Sequence, residues 1–306
     1  MLESLKSEEK KTVLRIGAGV LIKLTQEFVD RGFYWILPVI LSKVTDPLWP
    51  DPNFSIEKRI ELEIYGETVR TMQSMIVNKQ ILMAYGYEKI FILSPNIRIE
   101  RRERVITGRH AYEFTQLDFE IAYAKMKDIF RLVEDILVEV LEFVKHHYKE
   151  ELKILGVDIK IPEKPFRVYR REKLEEIYGP DWEEKASIDN KEPFWVINIP
   201  RQFYDYEDLN TGEWRNYDLI LPEGFGEVLS GSEREWEYEK ILYKMKRDGV
   251  DIEKYKYFLE LAKEGKLIPS AGAGIGIERL LRWITKRKHI CEVQPFPRIP
   301  GYVPEL

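Results

Sequence analysis

Arginines spaced with acids and glycines are the side chains of this sequence best suited to chemistry on a concentrated anion. One group is Asn96-Ile97-Arg98-Ile99-Glu100, which runs through a charged segment to Arg109-His110-Ala111-Tyr112-Glu113-Phe114-Thr115-Gln116-Leu117-Asp118-Phe119-Glu120. A second is Gly272-Ala273-Gly274-Ile275-Gly276-Ile277-Glu278-Arg279. A guanidinium is planar, always charged and able to grip two oxygens at once, so arginines on two separate segments could clamp a triphosphate. A third group is Asp218 followed by Gly226-Glu227-Val228-Leu229-Ser230-Gly231-Ser232-Glu233-Arg234. Its carboxylate and hydroxyl oxygens suit magnesium, which keeps several waters and bridges substrate phosphates. Alone, an Arg-x-Glu is a solvated charge pair and two acids with a serine are a solvated turn. An isolated Gly-x-Gly-x-Gly is equally weak. Their joint occurrence in this order is specific.

Other nucleotide-binding designs are excluded. The sequence has no Gly-x4-Gly-Lys-Ser/Thr phosphate loop. The glycine run at Gly272 lacks the early position and the following acid of a dinucleotide fold. Gly17-Ala18-Gly19 falls inside an apolar helical pattern and reads as a packing feature.

The elements that must position these groups follow from periodicity. Val13, Ile16, Val20, Leu24 and Phe28 fall at helical spacing and predict a helix over 8–31, followed by a short aromatic strand at 33–38. A helix is expected over 67–86 and a buried strand at 89–94. A longer strand is expected at 112–124, with the charged loop 100–109 completing a hairpin. The stripe Ile129, Leu132, Val133, Ile136, Leu137, Val140, Leu141 and Val144 predicts an amphipathic helix. His146 and His147 close it, where cations suit the helix dipole. Strands are expected at 194–199 and 217–221, and helices at 233–248 and 251–264. Without strict strand–helix alternation, this order favours an α+β fold with a mixed or antiparallel sheet flanked by helices.

Composition bounds the function. The 306 residues are 44% hydrophobic and 33% charged, as in an ordinary soluble globular protein. No apolar run is long enough to span a bilayer, and Met1-Leu2-Glu3-Ser4-Leu5-Lys6 lacks the features of a signal peptide. The lone Cys291 and the absence of a Cys/His cluster argue against a disulfide or a zinc site. These features point to the cytoplasm. The net charge of −5 argues against broad nucleic-acid binding.

The segments around Arg98 and Arg279 resemble motifs 2 and 3 of the class II aminoacyl-tRNA synthetases, in the aspartyl and asparaginyl subgroup. The helix and aromatic strand over 8–38 are similar to motif 1, which implies a homodimer through that segment. The resemblance implies a class II synthetase-like catalytic domain over 1–306 with a family-variable insertion around 151–193 and no preceding anticodon-binding domain. It places Arg98 on the α-phosphate of ATP, Arg279 on the γ-phosphate, Glu100 and His110 on the nucleotide and Phe114 under adenine. It also implies Mg2+ on Asp218, Glu227 and Ser230, and a substrate carboxylate on Arg234. Gln73-Ser74-Met75-Ile76-Val77-Asn78-Lys79-Gln80 is similar to the family's Gln-Ser-Pro-Gln-x-x-Lys-Gln, with Lys79 on the lysine that marks aspartate. Two departures stand out in the expected aspartate pocket, which comprises Ser74, Ile76, Lys79, Gln116, Asp118, Arg234 and Ser270. Ile76 replaces a glutamine, and Ser270 follows Pro269 where the synthetases carry histidine.

Those departures, with the closing Pro295-Phe296-Pro297-Arg298, are similar to the archaeal asparagine synthetases related to the aspartyl and asparaginyl-tRNA synthetases. That likeness implies a ligase that activates the β-carboxylate of L-aspartate with ATP and amidates it with ammonia, with tRNA not expected as a partner. The alternative is a synthetase paralogue that activates the α-carboxylate and loads tRNA or another acceptor. A non-catalytic regulator is disfavoured because Arg98, Glu227, Ser230 and Arg279 are all present.

Overall fold

The computed structural model describes residues 5–48 and 56–305; the first four residues, read above for a signal peptide, lie outside them. An eight-stranded sheet organises the chain. Its strands are β1 (Tyr34–Trp35), β2 (Lys89–Ile97), β3 (Glu113–Ala122), β4 (Arg167–Arg170), β5 (Phe194–Ile197), β6 (Asn216–Leu221), β7 (Gly226–Glu233) and β8 (Ser270–Gly276). They lie in the order β1-β2-β3-β8-β7-β6-β5-β4. The six strands from β2 to β5 pair antiparallel with their neighbours, while β1 and β4 join the two edges in parallel. The fold is α+β, as the order of strands and helices without strict alternation predicts.

The strands have two chemically distinct faces. In β3, Leu117 and Phe119 enter the main core, while Asp118 and Glu120 are buried on the other face. In β8, Ala271, Ala273 and Ile275 enter the same core and alternate with the three glycines. Successive strand residues point to opposite faces, so the polar face of β3 and the glycine face of β8 are neighbours. Helices α1 (Glu8–Asp30), α3 (Met126–His147) and α9 (Ile277–Ile284) cover the apolar face. Phe28, Ile136, Val140 and Leu280 are among the side chains they bury there. Ser7 caps α1 by accepting the Lys10 amide at 3.1 Å.

The polar face is walled by a second, smaller core. Helices α2 (Ile76–Ala84), α7 (Tyr238–Arg247) and α8 (Lys256–Lys263) contribute Ile76, Val77, Ile241, Met245 and Phe258, joined by Phe203 and Tyr204 from the segment after β5. Between α3 and β5 lie α4 (Lys149–Leu155), the edge strand β4, α5 (Arg171–Tyr178) and α6 (Trp182–Asp189). Tyr34, Trp35 and Leu37, in the segment similar to motif 1, face outward from the chain.

Two expectations for local structure are corrected. The helix expected over 67–86 is a strand, Glu67–Thr71, followed by a loop and then α2. Tyr65 and Gly66 both adopt positive φ, the conformation of a two-residue hairpin turn, and pair Glu61–Ile64 with Glu67–Thr71. The helix expected over 233–248 starts only at Tyr238, because Ser232 and Glu233 still pair with β8.

The glycine face of β8 has no spare room at Gly272. A Cβ on Gly272 would run into the Phe119 carbonyl and the Glu120 carboxylate. Gly272→Ala is therefore expected to cost about 1–3 kcal/mol through overpacking. Chemical denaturation measures it, and an unchanged midpoint would contradict this close approach.

Candidate functional site

The register lays the polar residues in rows across the sheet. Asp118 pairs with Gly274, Gly274 with Ser230, and Ser230 with Asp218. Glu120 pairs with Gly272, Gly272 with Ser232, and Ser232 with Asn216. Directly opposed residues share a face, so β8 is a glycine trough flanked by acids and hydroxyls. The glycines of Gly272–Arg279 thus lie in this strand, and Ile277–Arg279 open α9.

On one side of the trough, a cavity of about 210 Å³ collects Arg98, Glu100, His110, Phe114, Glu227 and Arg279. Arg98 donates to the Gln73 carbonyl from Nε (3.1 Å) and Nη2 (2.9 Å), and its guanidinium lies 5.2 Å from the Phe114 ring centroid. Arg279, on the first turn of α9, bonds the Glu227 carbonyl at 3.0 Å and pairs with its carboxylate at 3.2 Å. Burial would raise the Glu227 carboxyl, but Arg279, Arg201, Arg109 and Arg98 together hold it below the usual range. Arg104 pairs with Glu100 at 3.3 Å and donates to His110 Nε2 at 3.1 Å. The Thr107 hydroxyl donates to the Arg104 carbonyl, leaving its oxygen to accept from His110 Nδ1–H at 2.6 Å. This fixes a neutral imidazole. Burial, reinforced by Arg279, Arg109, Arg104 and Arg98, lowers its pKa to about 2.

A second cavity, of about 350 Å³, holds the groups expected to take the amino acid, including Ser74, Ile76, Lys79, Asp118 and Arg234. Arg98, Gln116 and Glu227 line both cavities, which therefore meet there. At the base of the second lies a buried ion network. The Glu120 carboxylate is fully buried and takes Arg234 Nε at 3.0 Å and Nη2 at 3.2 Å. Ser270 donates to the same carboxylate at 2.8 Å, and Lys79 lies 3.5 Å from it and 3.3 Å from Asp118. Arg234 Nη1 also reaches Asp205 and Ser232, both at 3.1 Å, and Nη2 reaches the Gly272 carbonyl at 3.1 Å. All five guanidinium donors thus have partners within the protein. Gln116 accepts from Asn96 at 2.7 Å, and Ile76 joins the smaller apolar core. One oxygen of Asp118 is buried without a hydrogen-bond partner.

Asp218 and Ser230 do face each other, and the guanidinium of Arg201 bridges them. Burial raises the Asp218 carboxyl against the pull of Arg201, with Glu227 and Glu183 adding to the rise. Among the described residues there is no group of three or more His, Cys, Asp or Glu side chains arranged to hold a metal. Asp218 nevertheless has a buried oxygen, Oδ1, without a hydrogen-bond partner. With Glu227, it is an oxygen-donor pair compatible with a magnesium ion that brings its own waters and phosphates. Ser230 instead has its hydroxyl bonded to Arg201.

Several residues of the site were not singled out in the sequence. Glu120 could have been, because Gln116, Asp118 and Glu120 alternate with Leu117, Phe119 and Ile121 and so mark one polar strand face. Arg201, Asp205 and Tyr204 lie in an irregular segment without a periodic signal. Glu183 comes from α6, between α3 and β5, where it accepts from Arg109 and from the Glu227 amide, the latter at 3.1 Å.

This arrangement of glycine trough, flanking acids and paired arginines on an antiparallel sheet is that of a class II aminoacyl-tRNA synthetase catalytic core. The crystal structure of asparaginyl-tRNA synthetase from Pyrococcus horikoshii complexed with asparaginyl-adenylate superposes with a TM-score of 0.85 at 24% identity, covering 98% of this chain and 71% of that one. The family of tRNA synthetases class II (D, K and N) matches residues 2–300, and the chain belongs to it. The asparagine–tRNA ligase of Thermococcus kodakarensis is 30% identical, over 97% of this chain and 71% of its own. That of Thermoplasma acidophilum is 25% identical, over 96% and 70%. The expectation that tRNA is not a partner is therefore corrected, since these relatives are tRNA ligases along almost the whole chain. A net charge averages the whole surface and does not report a local nucleic-acid contact.

Two outcomes follow from this geometry. Arg234→Ala should cost about 3–5 kcal/mol of stability, because it strands Glu120 and Asp205 as buried charges. Arg279→Ala, at a partly exposed pair, should cost about 1 kcal/mol or less. Urea denaturation of the two variants checks the contrast, and equal losses would contradict the network. Because the folded pKa of His110 is depressed, the unfolded chain binds its proton first as pH falls. Stability from this group is present above about pH 6.5 and declines toward about pH 2. NMR should show its imidazole neutral and not titrating between about pH 5 and 8; a midpoint near 6.5 would refute its burial among arginines.

Proposed function

We propose that this chain activates aspartate with ATP as an aspartyl-adenylate and passes the acyl group to tRNA. The observation that carries the reading is the meeting of the two cavities at Arg98, Gln116 and Glu227. A carboxylate in the second cavity can there approach the α-phosphate of a nucleotide in the first. Attack by a carboxylate oxygen forms the acyl–phosphate bond and breaks the bond between the α- and β-phosphates, releasing pyrophosphate. Arg98 is placed to stabilise charge developing on the α-phosphate, and holding both reactants in adjoining cavities supplies the proximity. Arg279 serves the outer phosphates, His110 and Glu100 line the nucleotide side, and Phe114 offers a ring face to the base. Asp218 and Glu227 would hold magnesium, which when bound neutralises charge on the phosphates. The unpartnered oxygen of Asp118 is an acceptor for the substrate ammonium group.

A second reading keeps the adenylate but changes the acceptor. Ile76 gives the amino-acid cavity an apolar wall, and Ser270 is turned onto Glu120 rather than toward the cavity centre. A pocket altered in this way favours aspartate in a reversed pose. Its β-carboxylate would then be activated, and ammonia would displace AMP to give asparagine. Incubation with labelled aspartate, ATP and magnesium, with either tRNA or ammonium, separates the readings. Acid-precipitable label on tRNA supports the first, and free asparagine that requires ammonium supports the second in its place. AMP without either product would count against both acceptors.

A further inference from the structure

The amino-acid cavity contains more cations than its own acids leave available for a ligand. Lys79 is fully buried and held between Asp118 and Glu120. Arg234 has a protein partner for each of its five donors. Arg98 is anchored on the Gln73 carbonyl at the junction with the nucleotide cavity. Arg201 differs from all three. It uses one donor on Ser230 and one on Asp218, and its other donors have no partner among the described residues. Its side chain is 25% exposed, against 2% for Lys79 and 4% for Arg234, and it lines the same cavity.

We infer that Arg201 is the specificity-determining cation that grips the carboxylate of aspartate that does not react, the role expected above of Arg234. Arg234 instead acts as a positioning residue that holds Glu120 and, through it, the floor of the cavity. A planar guanidinium with one edge fixed on Asp218 and Ser230 keeps its orientation while its open edge can donate to two carboxylate oxygens. The inference rests on the reading of the chain as an aspartate-activating enzyme, and it holds for either acceptor. Activation of the α-carboxylate leaves the β-carboxylate for Arg201, and activation of the β-carboxylate leaves the α.

The test is calorimetric binding of L-aspartate, L-asparagine and L-aspartic acid α-amide to the full chain, to Arg201→Gln and to Arg201→Lys. The unmodified chain should bind aspartate at least tenfold more tightly than one of the two amides, and that amide identifies the gripped carboxylate. In Arg201→Gln, aspartate should weaken at least tenfold while the weaker amide changes less than threefold, so the preference disappears. Arg201→Lys, which keeps the charge without the fork, should restore part of it and guards against a misfolded variant. Preserved discrimination in Arg201→Gln, or an equal loss for all three ligands, overturns the inference alone. If the unmodified chain binds none of the three, the aspartate-activating reading falls, and the assignment of Arg201 falls with it.

Discussion

The structure depends on accommodating one carboxylate, that of Glu120, at zero exposure in the middle of a sheet. An isolated buried carboxylate would neutralise or unfold its surroundings, so its partners are not optional. Arg234 supplies two donors, Ser270 one, and Lys79 a nearby positive charge. Each partner comes from a different part of the chain, so the network ties α2, β3, β8 and the segment just after β7 together beneath the amino-acid cavity. Gly272 makes this possible, because any side chain there would occupy the space of the carboxylate. Such a network contributes little net stability compared with an apolar core, but breaking any one member is costly. Its value lies in fixing the cavity floor.

The nucleotide side is built differently. Its arginines are only partly buried: Arg98 is anchored on a backbone carbonyl, and Arg279 combines a carbonyl with an ion pair to Glu227. Burial and the surrounding positive charge keep His110 neutral, and the same charge attracts a proton-free carboxylate at Glu227. A site of this kind holds an excess of positive charge ready for a polyanion. The second cavity is nearly charge-compensated, with few donors and acceptors left over for a ligand. The two halves share Arg98, Gln116 and Glu227, where the reaction would take place.

Much of this was legible in the sequence. The α+β sheet, the apolar stripe of α3 and the strand at 113–122 follow from periodicity, and the resemblance of the arginine and glycine segments agrees with the family to which the chain belongs. The hairpin at Glu61–Thr71 was missed because a tight turn depends on the φ angles of Tyr65 and Gly66, while the helical periodicity of its neighbours dominates the pattern. Which arginine keeps unused donors was also hidden. Arg234 and Arg201 are the same residue type in the same cavity, and hydrogen-bond partners and exposure separate them. Arg201 reaches the site from an irregular segment, so no spacing rule could have placed it. The charge of the whole chain pointed away from tRNA because it carries no information about where charge is placed.

If two adjoining cavities bring an amino-acid carboxylate to the α-phosphate of ATP, the adenylate must form without any acceptor present. Pyrophosphate–ATP exchange driven by single amino acids tests this most directly, because it reads adenylate formation without regard to the acceptor. Exchange should require magnesium, be strongest with aspartate and be absent with lysine. Absence of exchange with every amino acid, despite measurable ATP binding, would contradict adenylate formation.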